Sequence, residues 1–287
     1  MWAEIPDYLL DALIDSAKML PFLFIIYLLM EFLEHRAGKN FPKLLGKTTA
    51  VGPFAGALVG AVPQCGLAAA SASLYSGKVI TLGTLLAVFL SSSDEMLPIM
   101  ISETVPVLRI LKILGIKIGI AIISGYAVDL ILRSGRRVDE NARTEAGQAF
   151  ENYEHHSNMF VCALRRTLEI FIYVFMFSFI LNLIIGAVGE DRLAQALNSV
   201  PVLGEVVAGL VGLIPNCASS VVITELYLGG IIGTGPMLTG LLVNAGIGTM
   251  VLIKTNKDAK ENIRIVALLY GIGLFWGVAA ELCGLVL

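Results

Sequence analysis

Apolar stretches of 16 to 26 residues follow one another along most of the chain, separated by short polar segments. A membrane-spanning helix needs about 20 predominantly apolar residues. The pattern therefore predicts an all-α polytopic membrane protein. The eight apolar stretches are 17–32, 51–75, 81–101, 113–132, 167–188, 202–227, 231–253 and 265–285.

Composition supports the membrane class. Hydrophobic residues make up 56% of the 287 positions, charged residues make up 15%, and the mean hydropathy is +0.82. Soluble domains carry about 25% charged residues. The net charge of −3, with basic residues confined to a few loops, gives no indication of nucleic-acid binding. Four cysteines and an acidic N-terminus, which lacks the basic region of a signal peptide, do not indicate a disulfide framework.

Two of the apolar stretches are interrupted near their centres. The first contains Pro63-Gln64-Cys65 and the second contains Pro215-Asn216-Cys217. Proline removes a helix hydrogen bond and clashes with the preceding turn, so a helix bends or ends there. Within a bilayer such a break is tolerated only inside the protein or beside a cavity. Because paired breaks in two halves of a chain point to a transport site, we expect the two tips to line a substrate path.

The interruptions belong to an internal duplication, with Pro215 lying 152 positions after Pro63. Residues match at this offset, without a gap, on both sides of the breaks. We predict a first transmembrane repeat at 1–133, a polar cytoplasmic linker at 134–166 and a second repeat at 167–287. Matched pairs include Gly60/Gly212, Cys65/Cys217, Tyr75/Tyr227, Gly83/Gly235, Gly125/Gly277 and Asp129/Glu281.

Loop charges favour repeats of inverted orientation. If each interrupted stretch crosses the bilayer fully, each half has four crossings and the repeats are parallel. If each is a broken re-entrant helical hairpin, each half has three transmembrane helices plus the hairpin, and the repeats are inverted. Counting hairpin halves, this gives ten helical segments, with both termini outside. In this topology the three most basic loops fall inside, as the positive-inside tendency requires. They are 34–50, 133–166 and 254–264. Arg109, Lys112 and Lys117 do not fit it.

The tips can hold a cation or an anion, because one half-helix ends in carbonyls and the next begins with amides. Cys65 and Cys217 offer sulfur, and Gln64 and Asn216 offer amide oxygens. Thiolates suit Cu(I), Zn and thiophilic metalloids, whereas carboxylates and carbonyls suit Mn, Mg and Ca. A single cysteine in a membrane helix is usually a packing residue. Two cysteines at equivalent breaks are candidate metal ligands.

Two further interruptions are Ser91-Ser92-Ser93-Asp94-Glu95, within the stretch 81–101, and Asn244-Ala245-Gly246, within 231–253. The first carries the acids. A carboxylate at the centre of a membrane helix costs about 2.5–3.5 kcal/mol on insertion scales and usually faces a cavity or a partner. The equivalent positions 244–247 carry no acid, so this chemistry belongs to one half. We predict Asp94 as a metal ligand. The predicted ion-binding side chains of the two interruptions are Ser92, Ser93, Asp94, Glu95 and Asn244.

Structural roles compete with these assignments. Asp94 can instead form a buried ion pair with Lys117 or Arg109. Asp129 and Glu281 are repeat-equivalent acids near the ends of their apolar stretches, so for them we expect an interfacial or helix-pairing role rather than transport.

Three motifs resemble those of a known family. They are VPQCG at 62–66 and IPNCA at 214–218, each followed by Leu-Tyr-x-Gly, and LSSSDEMLP at 90–98. They resemble a bacterial family described as ten-helix heavy-metal exporters, which is related by name to arsenical efflux permeases and is also described as manganese transporters. The resemblance covers nearly the whole chain and implies metal or metalloid export across the cytoplasmic membrane. It assigns no residue roles.

The leading interpretation is a secondary-active transporter that exports Mn²⁺ or a thiophilic heavy metal or arsenical by alternating access around the tips. No nucleotide-binding motif is present, so a proton or sodium gradient has to drive it. Three alternatives stay open: an ion-coupled carrier of a small anion or organic acid, an intramembrane enzyme using Asp94 or Cys65, and a channel. The enzyme is disfavoured because no His lies in an apolar stretch and no HExxH or GxGD pattern occurs.

The expected partners are the metal or metalloid ion, a coupling proton or sodium ion and the lipid bilayer, with no nucleic acid and no cofactor. The expected location is the bacterial cytoplasmic membrane. A homodimer is one assembly that the sequence allows.

Overall fold

The structure is a computed structural model that describes residues 51–63, 65–93, 95–131, 202–215 and 218–285, together with single positions elsewhere. Within this part the chain forms ten α-helices and no strand. The predicted stretches 17–32 and 167–188 and the linker lie outside it, apart from single positions. The first-half helices are α1 (Gly52–Gly60), α2 (Cys65–Ser76), α3 (Leu82–Ser91), α4 (Met96–Ser102) and α5 (Val107–Ile131). The second-half helices are α6 (Leu203–Gly212), α7 (Ala218–Leu228), α8 (Thr234–Val243), α9 (Ile247–Thr255) and α10 (Ala259–Leu282).

The helical architecture agrees with the predicted class of polytopic membrane protein. Three segments are long and apolar enough to cross a bilayer, by length and composition: Leu82–Ser102, Thr234–Thr255 and Ala259–Leu282. The first two are the interrupted pairs α3–α4 and α8–α9. Helix breaks lie at the predicted positions, since α3 ends at Ser91 and α8 ends at Val243.

Some helices extend beyond the ends of the apolar stretches, because the charged residues there are good helix formers. The segment 254–264 was predicted as a loop, and this is wrong for most of it. Lys254 lies in the last turn of α9, and α10 begins at Ala259. The Asp258 side chain accepts hydrogen bonds from the Lys260 and Glu261 amides and caps that start.

Close glycine contacts set the direction of the first-half helices. Gly52 lies against Thr84, and Gly60 lies against Val88 and Ser91; a Cβ at either glycine would overlap these atoms. The start and end of α1 therefore face the start and end of α3, so the two helices run parallel. Helix α5 runs antiparallel to them, because Gly125 near its end packs on the Gly83 carbonyl at the start of α3.

The second half repeats this arrangement. Gly212, at the end of α6, packs on the Gly240 backbone in the last turns of α8, and Gly277 of α10 packs on the Gly235 carbonyl. These contacts are the equivalents, 152 positions later, of those made by Gly60 and Gly125.

The halves also exchange helices across their boundary. Helix α2 packs along α9, and α7 packs against α4. Gly248 of α9 lies against Ala68 of α2, and the Ser76 and Thr255 hydroxyls at the ends of the same helices are 2.7 Å apart. A single hydrophobic core contains Leu86 and Phe89 from one half and Leu242 from the other. The two interrupted helices therefore meet inside a shared core.

Candidate functional site

A lysine joins the two interrupted pairs, α3–α4 and α8–α9. Lys117 lies near the middle of α5 and is 0% exposed. Its Nζ donates a hydrogen bond to the Ser92 carbonyl oxygen and another, at 3.0 Å, to the Leu241 carbonyl oxygen. Ser92 directly follows α3, and Leu241 lies in the last turn of α8. The last carbonyls of a helix have no intrahelical partner and carry the negative end of the helix dipole, so the ammonium bridges two such ends, one from each half.

The chain just before the first Pro-Gln-Cys tip lies beside this junction. The Ser93 hydroxyl donates to the Ala61 carbonyl oxygen at 3.0 Å, and Ala61 is two residues before Pro63. Ser92 and Ser93 are 4% and 2% exposed. The structure therefore brings two predicted ion-binding residues, Ser92 and Ser93, to the same place as the backbone of the first tip.

The second interruption is closed by its own side chain. Asn244 is buried, and its Oδ1 accepts a hydrogen bond from the Gly246 amide at 2.9 Å. The Thr249 hydroxyl donates to the Gly246 carbonyl at 3.2 Å. Asparagine commonly forms this local turn, and Gly246 has φ of +50°, which glycine adopts without strain. The contact that the structure gives to the predicted ligand Asn244 is thus local.

Glu95 occupies the position before α4 and is 4% exposed. Its side chain does not cap that helix. The burial agrees with the expectation that a carboxylate in this interruption faces the protein interior.

Several predicted ligands lie outside the described residues. They are Gln64, Asp94, Asn216 and Cys217, while Cys65 begins α2 but its side chain is not described. Among the side chains that the structure does describe, no three His, Cys, Asp or Glu groups come together as a metal site. The metal assignment of Cys65, Asp94 and Cys217 therefore stays a prediction.

The sequence analysis did not predict that Lys117 connects the two halves. It named Lys117 only as a candidate ion-pair partner for Asp94 and as a charge that did not fit the topology. Two signals were available. Lys117 is a cation within an apolar stretch, and its repeat equivalent is Leu269, which is buried in the apolar core.

Asp129 and Glu281 have the helix-pairing role that we predicted. Asp129 accepts hydrogen bonds from the Gly83 amide at 2.8 Å and the Thr81 hydroxyl at 2.7 Å, at the start of α3. Glu281 accepts one from the Gly235 amide at 3.1 Å, at the start of α8. Each acid ties the end of a long helix to the start of its half's interrupted helix.

Hydrogen bonds join the halves at the end of α2. The Tyr75 hydroxyl donates to Glu261 Oε1 at 2.7 Å, next to the Ser76 and Thr255 hydroxyl pair. The repeat-equivalent positions of Ser76 and Thr255 hold Leu228 and Glu103, which cannot form a hydroxyl pair.

A comparison with family models supplies the class of protein. The model described as "Putative, 10TM heavy-metal exporter" matches residues 5–190, about two thirds of the chain. This range contains the first tip, the Asp94-Glu95 interruption and Lys117. Comparisons with curated proteins and with solved structures found no match. On the strength of the family match, the chain belongs to this family of multi-span heavy-metal exporters.

Proposed function

We propose that the protein is a secondary-active transporter that exports a metal or metalloid ion by alternating access around the Pro63 and Pro215 tips. Family membership supports metal export in general. The observation that carries the sign of the charge is the Ser92 interruption, where Glu95 and Lys117 are both buried. In the sequence this interruption has two carboxylates, Asp94 and Glu95, against the single ammonium of Lys117. Acidic residues within membrane segments mark ion pathways, and two carboxylates against one ammonium favour a cation as the substrate.

The two proline-containing stretches, 51–75 and 202–227, are re-entrant hairpins in this proposal. Helix α1 starts beside the start of α3 and ends beside its end. If α2 continued in the direction of α1, its end would lie about 32 Å from the start of α3, at 1.5 Å per helical residue. The connection 77–81 reaches at most about 22 Å when fully extended. This limit on the connection supports a return of α2 toward the side from which α1 entered.

The hydroxyl pair of Ser76 and Thr255 supports inverted repeats. The pair brings the ends of α2 and α9 together, and with the proposed hairpin α3 starts on the same side. The α3–α4 pair thus starts where the α8–α9 pair ends, as inverted repeats require. We assign this side to the cytoplasm by the positive-inside tendency, because the basic segment 254–264 begins at the end of α9. Both termini are then outside, and the membrane is the bacterial cytoplasmic membrane.

An anion carrier is the second candidate, because Lys117 is a buried ammonium. Both hydrogen bonds given for Lys117 go to main-chain carbonyls of the protein. This use of its charge favours the metal-ion carrier.

The test is the metal content of cells. An expressing strain and an empty-vector strain are loaded with Mn, Zn, Cu, Cd or arsenite and analysed by elemental mass spectrometry. We expect a several-fold selective depletion of one element in the expressing strain. Depletion of none would contradict metal export, and competition by anions would then favour the second candidate.

Substitutions identify the ligands once the element is known. For a thiophilic substrate we expect Cys65→Ser and Cys217→Ser each to abolish depletion, with Cys283→Ser as the control because that thiol is exposed. For Mn²⁺ we expect Asp94→Asn to abolish depletion while the cysteine changes are mild, with exposed Glu103→Gln as its control. If all these variants export normally, the site lies elsewhere.

A further inference from the structure

We infer that the carbonyl oxygens of Ser92 and Leu241 form a monovalent-cation site that Lys117 fills with its own ammonium group. When that ammonium is removed by mutation, the same oxygens bind a free monovalent cation. This inference deepens the proposed function, on which only its consequence for coupling rests.

The chemistry of the pocket is that of a cation site. A lysine in the bilayer interior is costly unless protein groups replace its hydration. Here the replacement comes from main-chain carbonyls at the ends of α3 and α8, and both ends direct negative dipole potential at Nζ. Unwound carbonyls and half-helix C-terminal ends are the groups with which membrane transporters coordinate Na⁺. Lys117 stands where such a cation would.

Further oxygen atoms lie on the same segments. The Ser93 hydroxyl holds the Ala61 carbonyl at 3.0 Å, and the buried Asn244 amide follows α8 by one residue. Glu95, also buried, is three residues after Ser92. Hard monovalent cations prefer oxygen ligands of these kinds. Together with the two carbonyls, these groups are the candidate oxygen ligands for a cation that replaces the lysine head.

The second half has no lysine at the equivalent position, as expected if Lys117 itself is the one cation that the site holds. At the position equivalent to Lys117 the second half has Leu269, which is 0% exposed within the apolar core. One ammonium therefore bridges both halves. For the proposed transporter, we expect export to be independent of sodium, because Lys117 occupies this cation site, and we expect the proton to be the coupling ion.

Thermal unfolding of the purified full-length protein tests the site without any transported metal. Melting is measured in NaCl, in NH₄Cl and in choline chloride of equal ionic strength. We expect Lys117→Ala, which leaves room beside the carbonyls, to melt about 3 °C or more higher in NaCl or NH₄Cl than in choline chloride. Lys117→Met keeps the side-chain volume without charge or room, so its Tm should be the same in all three salts. Lys112→Ala removes an exposed lysine of the same helix and should also show no ion effect.

A Tm of Lys117→Ala that is equal in the three salts would overturn the inference. If Lys117→Ala does not fold, Lys117→Ser, which adds a hydroxyl oxygen, takes its place in the same comparison. The wild-type protein provides a further check: its Tm and its metal export should not change when sodium is replaced by choline, and a requirement for sodium would overturn the inference. Because melting requires no substrate, a failed export assay and a failed ion effect are separate results.

Discussion

The two halves of the molecule share their helix packing but not their polar chemistry. The start of each interrupted helix is held by an acid from the long helix of its own half, Asp129 in the first and Glu281 in the second. Gly125 and Gly277 pack equivalently beside these contacts. The close approach of the helix backbones requires a glycine and an acid at the same positions in both halves, and both copies of the duplicated sequence have them.

The central charges follow no such symmetry. Lys117 has Leu269 as its equivalent, and Glu95 has Ile247. Since each buried charge in a membrane is costly, a second set of carboxylates and a second lysine in one core would double that cost. The packing contacts therefore occur in both halves, whereas these two buried charges occur only in the first half, and Lys117 bonds to carbonyls of both halves.

The largest test of the comparison concerns orientation. Gly77 and Gly229 are exposed equivalents at the hairpin exits, and neither has a positive φ. In a background with the four native cysteines replaced by Ser, we expect a membrane-impermeant maleimide to label Gly229→Cys in intact cells. Gly77→Cys should be labelled only after permeabilisation. Labelling of both from the same side would show parallel repeats and would contradict the proposed hairpins.

A smaller effect distinguishes the two acids. Asp129 accepts two hydrogen bonds, and asparagine has a single acceptor oxygen, so Asp129→Asn loses one of them. We expect a loss of about 1.5–3 kcal/mol in the free energy of unfolding. Glu281 accepts one hydrogen bond, at 3.1 Å, which glutamine can keep. Glu281→Gln should therefore cost about 1 kcal/mol or less.

Chemical denaturation of the purified variants measures this difference, with exposed Glu103→Gln as the control. Equal losses for Asp129→Asn and Glu281→Gln would mean that the two contacts do not differ as their geometry indicates.

Much of the fold could be predicted from the sequence, because apolar length and proline act locally. The breaks near Pro63 and Pro215, the end of α3 at Ser91 and the pairing role of Asp129 were all predicted. The exchange of α2 and α7 between the halves was not, since it depends on which of several apolar faces pack together. Hydrophobic periodicity carries no information about that choice.

The site was predictable only in part. Ser92 and Ser93 were selected because polar residues in a membrane helix need partners, and they are buried at the junction. The position of Lys117 between two carbonyl ends could not be predicted, because the Leu241 carbonyl belongs to a segment 124 residues away. A main-chain acceptor also leaves no signal in the sequence.

The smallest difference between the halves lies in the turns that follow α2 and α7. Lys78 and Gly230 are equivalent and have φ of +59° and +72°. The following amides close equivalent turns, from Val79 to the Leu74 carbonyl at 2.9 Å and from Ile231 to the Leu226 carbonyl at 3.0 Å. A left-handed conformation costs a non-glycine residue about 1–2 kcal/mol, part of which glycine loses again through its greater freedom in the unfolded chain.

We expect Lys78→Gly to raise the free energy of unfolding by about 0.5–1 kcal/mol and Gly230→Ala to lower it by a similar amount. Lys78→Ala is the matched control, because it removes the charge but keeps the Cβ, and its stability should stay close to that of the wild type. Thermal unfolding in detergent resolves these shifts, which correspond to about 1–4 °C in Tm. If Lys78→Gly and Lys78→Ala have the same stability, the turn is not strained. The turn after α2 then accommodates a lysine as well as the turn after α7 accommodates a glycine. The difference between Lys78 and Gly230 then does not affect the free energy of unfolding.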